Sequence, residues 1–141
     1  MTKLTIEDRL DLAELALRGF WLIDHGRAGE AAALFAEDAN LTFGPGAPRP
    51  GTISGAAIAA AMAARQAEAH VTSRHVLSNT LISALGDGRA EVRSLLTLFR
   101  SPDADLSPVV RSVADVIDVC VQEGGVWKIA DRSILPVFQP G

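Results

Sequence analysis

His75 lies in the segment TSRHVLSN, residues 72–79, and apolar Val76 and Leu77 follow it directly. Imidazole is the side chain whose ordinary pKa lies closest to neutrality, so a histidine on a strand beside a cavity can exchange a proton at physiological pH. The chain contains no tyrosine. Acid–base chemistry must therefore come from histidine, aspartate, glutamate and arginine side chains.

Three further polar side chains stand on segments that read as strands. Asn79 follows His75 by four residues and so shares its face of the strand, where it could bind a substrate oxygen or satisfy backbone groups. Asp115 and Asp118 lie in the apolar segment 112–121, where a carboxylate is costly unless it is paired. Their odd spacing directs them to opposite faces. The sequence leaves open which of the two faces inward.

Arginine side chains on neighbouring segments offer partners for these carboxylates. Asp118 could pair with Arg132 or Arg93 across a sheet, or it could take part in catalysis. Arg111 and Arg132 could neutralise an acidic substrate, although an arginine on an exposed strand face more commonly forms a solvated ion pair. Cys120, the single cysteine, stands in the apolar run VIDVCV and reads as a small core residue.

Composition limits the classes of function. The 141 residues fit one domain, 1–141, and 48% of them are hydrophobic, as in a globular chain. A net charge of -4 argues against binding to nucleic acid. No apolar segment is long enough for a membrane span, and the N-terminus lacks the order of a signal peptide, so we expect a cytoplasmic location with no membrane partner.

Metal and cofactor sites are not expected either. His25 and His70 show no ligand spacing with His75, and the sequence has no glycine-rich phosphate loop or paired-cysteine motif. We therefore predict no metal and no cofactor. The expected partner is a hydrophobic small molecule, because the candidate lining of a pocket is apolar: Trp21, Phe20, Phe43, Leu77 and Phe99.

Apolar periodicity predicts the elements that position these residues. A helix over residues 5–25 follows from a stripe at spacings of three and four, formed by Ile6, Leu10, Ala13, Leu17, Phe20 and Ile23. Shorter helices are predicted over 27–36 and 55–69. Between them lie a short strand, 40–43, and a loop, 44–54, that is rich in proline and glycine.

Alternating patterns predict four long strands, at 75–85, 90–100, 109–123 and 126–136, separated by turns at 86–88, 102–108 and 124–125. Three helices followed by a run of antiparallel strands are typical of an α+β domain. In such a domain the helices pack on the concave side of a curved sheet.

Four segments in this order carry a family resemblance: IDHG, LFAEDANLTF, RHVLSN and GGVWKIADRSI. Together they resemble the SnoaL-like branch of the NTF2-like superfamily. The resemblance implies a cone-shaped α+β barrel, with three N-terminal helices packed in a strongly curved, mostly antiparallel sheet. It also implies a homodimer formed through the outer sheet face.

The resemblance to scytalone dehydratase and bile-acid dehydratase assigns roles to particular positions. Asp24 matches the aspartate that orients the catalytic base, and His75 matches the base. Gly19 stands where those enzymes have a tyrosine, and Phe43 stands where ketosteroid isomerases have their aspartate. Asp118 matches a family aspartate nine residues before the tryptophan of the last strand.

Two functions follow as hypotheses. In the first, the chain is a cofactor-independent lyase or isomerase for a hydrophobic cyclic molecule, in which His75 removes a proton, Asp24 orients it, and Asn79 or Asp118 holds an oxygen. In the second, it is a non-catalytic binding or assembly module similar to the small subunit of ring-hydroxylating dioxygenases. The Asp24–His75 pair could equally be structural, with Asp24 bridging a helix and a loop and His75 filling a polar niche in the core.

Overall fold

The structure is a computed structural model that describes residues 3–102, 106 and 110–138. Most of the turn predicted at 102–108, and the first residue of the strand predicted at 109–123, lie outside the described residues. Its helices are α1 (Ile6–Asp24), a 3₁₀ helix (Ala28–Leu34) and α2 (Ala56–Ala67). Its strands are β1 (Phe35–Phe43), β2 (Gly51–Ser54), β3 (Thr72–Gly86), β4 (Arg89–Ser101), β5 (Val110–Glu123) and β6 (Val126–Pro136).

The six strands form one mixed sheet in the order β2-β1-β6-β5-β4-β3. All neighbours are antiparallel except β1 and β6, which are parallel. The predicted α+β class with three helices and a mostly antiparallel sheet is confirmed. The sheet is open between its edge strands β2 and β3, and its strong curvature stays a prediction.

Helix α1 begins with a capping box, in which the Thr5 hydroxyl accepts a hydrogen bond from the Asp8 backbone N–H and the Asp8 carboxylate accepts one from the Thr5 backbone N–H. The predicted inner stripe of this helix is wrong at three positions, since Ile6, Leu10 and Leu17 are exposed. The buried face consists instead of Leu12, Leu15, Ala16, Gly19, Phe20 and Leu22. Both faces have helical spacing, so periodicity alone could not select between them.

The segment predicted as a plain loop at 44–54 contains strand β2. This strand covers the outer edge of β1, where its residues Thr52 and Ser54 form side-chain hydrogen bonds to Thr42 and Asn40 at 2.8 and 2.6 Å. The second predicted helix is a 3₁₀ helix, and β1 begins at Phe35, earlier than predicted. The pairing of β2 with β1 therefore forms although the segment 44–54 is rich in proline and glycine.

The main core lies between the helices and the inner face of the sheet. Leu12 and Ile58 from the two α-helices meet Val92, Cys120 and Ile129 from the sheet, and all five are at most 2% exposed. Of the helices in the described part of the chain, none combines the length and the apolar character that a membrane crossing requires. A second, smaller buried cluster contains Phe20 from α1 and Leu96, Ala114 and Val116 from the sheet.

Candidate functional site

Asp24 and His75 are in direct contact. Asp24 is the last residue of α1, and His75 lies near the start of β3. The imidazole Nδ1 lies 2.6 Å from one carboxylate oxygen of Asp24, and the backbone N–H of His75 donates to the other oxygen at 2.7 Å. The side chain of His75 is 12% exposed and that of Asp24 is 4% exposed. The carboxylate therefore holds both the ring and the backbone of His75.

The Asp24 carboxylate has further partners that sequence reasoning missed. The Ser73 hydroxyl donates to it at 2.7 Å and accepts a hydrogen bond from Arg65 at 3.0 Å, while Arg74 donates to the Asp24 backbone carbonyl at 3.0 Å. Ser73 precedes His75 by two residues on the same strand, so the period-two rule could have identified it. Arg65 comes from α2, and no sequence signal linked it to the site.

These contacts determine the charge of Asp24. Burial raises the pKa of the Asp24 carboxyl, but hydrogen bonds from the His75 ring and backbone, its charge and the Ser73 hydroxyl together outweigh burial and hold that pKa below its ordinary value. Asp24 is thus a carboxylate at neutral pH. A carboxylate accepts hydrogen bonds only, so Nδ1 of His75 donates to it, and in the neutral imidazole Nε2 carries the lone pair.

Phe20 packs against the imidazole ring of His75. The two rings stack with centroids 4.9 Å apart and an angle of 22° between their planes. Within the described residues, Nε2 of His75 has no protein hydrogen-bond partner. His75 also lines the adjacent pocket, so Nε2 is its candidate group for contact with a bound molecule.

The pocket beside His75 has a volume of about 470 Å³. Phe20 and Phe43, two of the predicted lining residues, contribute to its wall. Its other described lining residues are Gly46, Ala47, Pro48, His75, Leu96, Leu98, Arg100, Pro102, Arg111, Ser112, Ile134, Pro136 and Phe138. The wall is largely apolar, which is the character of a site for a small organic molecule.

A β-bulge directs Arg111 into this pocket. The register between β4 and β5 shifts between Leu98 and Phe99, so that Leu98 pairs with Ser112, Phe99 pairs with Val110, and Arg111 is the extra residue. Consecutive residues Arg111 and Ser112 consequently line the same pocket, which regular alternation would forbid.

Asp118 is the inner one of the two strand aspartates, but it does not line the pocket. Its carboxylate accepts two hydrogen bonds from the Arg132 guanidinium, at 2.7 and 2.6 Å, and both side chains are buried. Arg132 also donates to the Ala16 carbonyl at 2.8 Å and lies over the Phe20 ring at 4.5 Å. The position of Asp118 is therefore that of the structural alternative, an ion-pair partner of Arg132, and Asp118 is not among the described residues that line the pocket. Asp115 is exposed on the opposite face.

Asn79 does not share the face of His75, and this prediction is wrong. Its φ angle is 55°, and the register of β3 shifts between Ser78 and Leu81. Because a left-handed residue at a bulge interrupts the alternation, Asn79 lies in an exposed groove with Arg93 and Asp115.

Three predicted apolar lining residues also lie away from the pocket wall. Trp21 is 49% exposed and stacks on the His25 ring, because it is on the outer side of α1. Phe99 alternates with Leu98 and Arg100, which line the pocket, so it points to the outer sheet face. Leu77 packs between the two buried clusters as a core residue.

The remaining candidate groups show no metal-binding arrangement. Among the described residues, no group of three histidine, cysteine, aspartate or glutamate side chains could hold a metal ion. Cys120 is fully buried, and burial, followed by the negative charge of Asp118, raises the pKa of its thiol to about 12. A thiol with that pKa is not a nucleophile at neutral pH.

The sequence and the fold both match known proteins. A family profile described as "SnoaL-like domain" matches residues 4–133. A search of curated proteins gives no significant match.

Among the crystal structures that share the fold, three are from Novosphingobium aromaticivorans. A protein assigned as a scytalone dehydratase is 18% identical, with a TM-score of 0.80 and coverage of 94% of this chain and 86% of that chain. An NTF2-like protein with a cystatin-like fold is 22% identical, with a TM-score of 0.76 and coverage of 96% and 86%. The beta subunit assigned to an aromatic-ring-hydroxylating dioxygenase is 13% identical, with a TM-score of 0.77 and coverage of 93% and 90%. At these identities the likeness concerns the fold alone.

Proposed function

The chain belongs to the SnoaL-like domain family, and on that premise we propose that it is a cofactor-independent lyase or isomerase for a hydrophobic cyclic small molecule. One observation carries the proposal. The Asp24 carboxylate lies 2.6 Å from Nδ1 of His75, while Nε2 has no partner among the described residues and the ring lines a mostly apolar pocket. This arrangement is that of a general base aimed at a bound molecule.

In the proposed reaction, Nε2 of His75 removes a proton from a carbon next to a carbonyl group. The electron pair of the broken C–H bond moves into the carbonyl to form an enolate, and the imidazolium formed on His75 is stabilised by the Asp24 carboxylate. The same proton is then delivered to another carbon in an isomerase, or to a departing hydroxyl group, which leaves as water, in a lyase. Atoms and charge balance without an added cofactor.

The oxygen of the substrate needs a partner other than Asn79 or Asp118. Asn79 lies outside the pocket, and Asp118 already accepts both of its short hydrogen bonds from Arg132. The Ser112 hydroxyl lines the pocket and can donate a hydrogen bond. We assign it this role as part of the proposal, in place of the tyrosine that Gly19 replaces in the family pattern.

The test measures proton exchange, because it does not require the natural substrate. Wild-type protein in D₂O should exchange the α-hydrogens of at least one member of a panel of cyclic ketones and β-hydroxyketones, read by NMR. His75→Ala should lose about 100-fold or more of that rate, as expected for a general base, with a melting temperature within a few degrees of wild type. His25→Ala is the matched control, since His25 is outside the pocket and bonds to the Trp21 carbonyl, and it should keep full activity. Full exchange by His75→Ala would contradict the mechanism.

The second candidate is a non-catalytic binding or assembly module. The fold likeness to a dioxygenase beta subunit and the absence of tyrosine from the sequence favour it. Under this alternative the wild-type protein binds a hydrophobic ligand in the same pocket, but no panel member exchanges its hydrogens. The exchange assay therefore separates the two candidates.

We also propose that the sheet wraps the pocket as a cone and that two chains associate through the outer sheet face. Phe99 and Ile117 point to that face, because their strand neighbours line the pocket or are buried on the inside. Sedimentation at micromolar concentration should give twice the chain mass, and Ile117→Asp should give a folded monomer. A wild-type monomer would refute this interface.

A further inference from the structure

In the part of the pocket wall that the structure describes, the strongly charged side chains are all positive. Arg100 and Arg111 line it, whereas its described lining contains no aspartate or glutamate. We propose that the ligand carries a carboxylate, held by Arg111 and Arg100 at the mouth of the pocket. This inference rests on the proposed function of the site and specifies the class of its substrate: an apolar cyclic acid.

The backbone around the bulge positions the Arg111 guanidinium. Nε of Arg111 donates to the backbone carbonyl of Arg100 at 3.0 Å, which fixes one edge of the planar group and leaves the terminal amino groups to present further donors. Arg111 is exposed, so its charge lies at the pocket mouth rather than in the core. Paired donors in a rigid fork match the two oxygens of a carboxylate.

Arg100 contributes a second positive charge at the same place. Its ion pair with Glu68 is long, at 3.8 Å, and both side chains are more than a third exposed. An exposed pair of this kind contributes little energy, so Arg100 can turn toward a bound anion at small cost. In contrast, Arg132 is committed to Asp118 and is not available to a ligand.

The sheet register sets the length of the ligand. His75 pairs with Leu98, and Leu98 pairs with Ser112, so these three residues form one row across β3, β4 and β5. Two steps of about 5 Å place the Cα atoms of His75 and Ser112 about 10 Å apart. Apolar side chains line the space between, including Leu96 and Leu98. The reacting carbon and its carbonyl group then lie between His75 and Ser112, and a fused pair of rings extends the ligand so that its carboxylate reaches Arg111, next to Ser112.

The test measures binding of unreactive probes by calorimetry, so it does not depend on turnover. Naphthalene-2-carboxylate has the predicted shape and charge, and naphthalene-2-carboxamide is its neutral counterpart. We expect the carboxylate to bind wild-type protein about tenfold more tightly than the amide, because charge-assisted hydrogen bonds are stronger than neutral ones. Arg111→Gln should remove that preference while changing amide affinity by less than about twofold, and Arg111→Lys should retain part of it.

Arg93→Gln is the control, because Arg93 is an exposed arginine outside this pocket that pairs with Glu91. It removes the same charge and should leave the preference intact. Equal binding of acid and amide by wild type, no binding of the acid at millimolar concentration, or equal effects of Arg111→Gln and Arg93→Gln would each overturn the proposal. Failure of the proposed function would give a different result. In that case His75→Ala would keep its proton-exchange activity, while the protein would still bind the acid more tightly than the amide.

Discussion

The buried pair of Asp118 and Arg132 gives the sharpest test of the site assignment. Asp118→Ala removes two hydrogen bonds, of 2.7 and 2.6 Å, and leaves the Arg132 guanidinium buried with the Ala16 carbonyl as its remaining polar partner among the described residues. Removing one member of such a pair costs about 3–5 kcal/mol, since the other charge stays desolvated. For a domain of this size, we expect the melting temperature to fall by about 10–15 °C.

Asp115→Ala is the matched control, because Asp115 is an exposed aspartate three residues away on the same strand. It should change the melting temperature by no more than about 2 °C. The double variant Asp118→Leu with Arg132→Met should recover most of the lost stability, because it removes both charges and keeps apolar volume. Differential scanning calorimetry measures all three variants. If Asp118→Ala melts like Asp115→Ala but loses proton exchange, Asp118 acts on the substrate and the structural assignment is refuted.

Two further predictions concern ionisable groups of the folded state. The pKa of Asp24 is lowered by folding, so its contribution to stability is present above the ordinary value of 3.8 and is lost as the pH falls through the lower folded pKa. The difference in free energy of unfolding between wild type and Asp24→Asn, from urea titrations, should accordingly shrink between pH 6 and pH 3; a constant difference would contradict this charge state. Burial raises the pKa of the Cys120 thiol to about 12, so iodoacetamide at pH 8 should leave native protein unmodified and alkylate it in 6 M urea. Rapid labelling of folded protein would show that the thiol is accessible.

The contact between Asp24 and His75 was predicted from the family resemblance, whereas the pattern of the sequence placed each residue on its element. Asp24 ends an apolar helix before a glycine, and His75 begins an alternating strand, so both positions could be read from the sequence. The residue types made proton transfer the candidate chemistry. Ser73 was accessible to the same argument, since it shares the strand face of His75.

Irregular backbone explains why Asn79 was misplaced and why the lining by both Arg111 and Ser112 was not foreseen. Period two assigns Asn79 to the face of His75 and separates Arg111 from Ser112, but a bulge lies at each place. One extra residue in a strand reverses the sheet face toward which the following side chains point. No local signal in TSRHVLSN or VVRSVAD specifies such a bulge, because it forms only when a partner strand fixes the pairing.

Sequence alone predicted the α+β class and the order of most elements, because these depend on periodicity along the chain, and the match of four segments to a known family predicted the family and His75 as the candidate base. Tertiary structure decided which of two apolar faces of α1 is buried, that Asp118 belongs to Arg132, and that Arg100 and Arg111 meet at the mouth of the His75 pocket. Each of these depends on contacts between residues distant in sequence, and the energy of such a contact exists only once the sheet has brought its partners together.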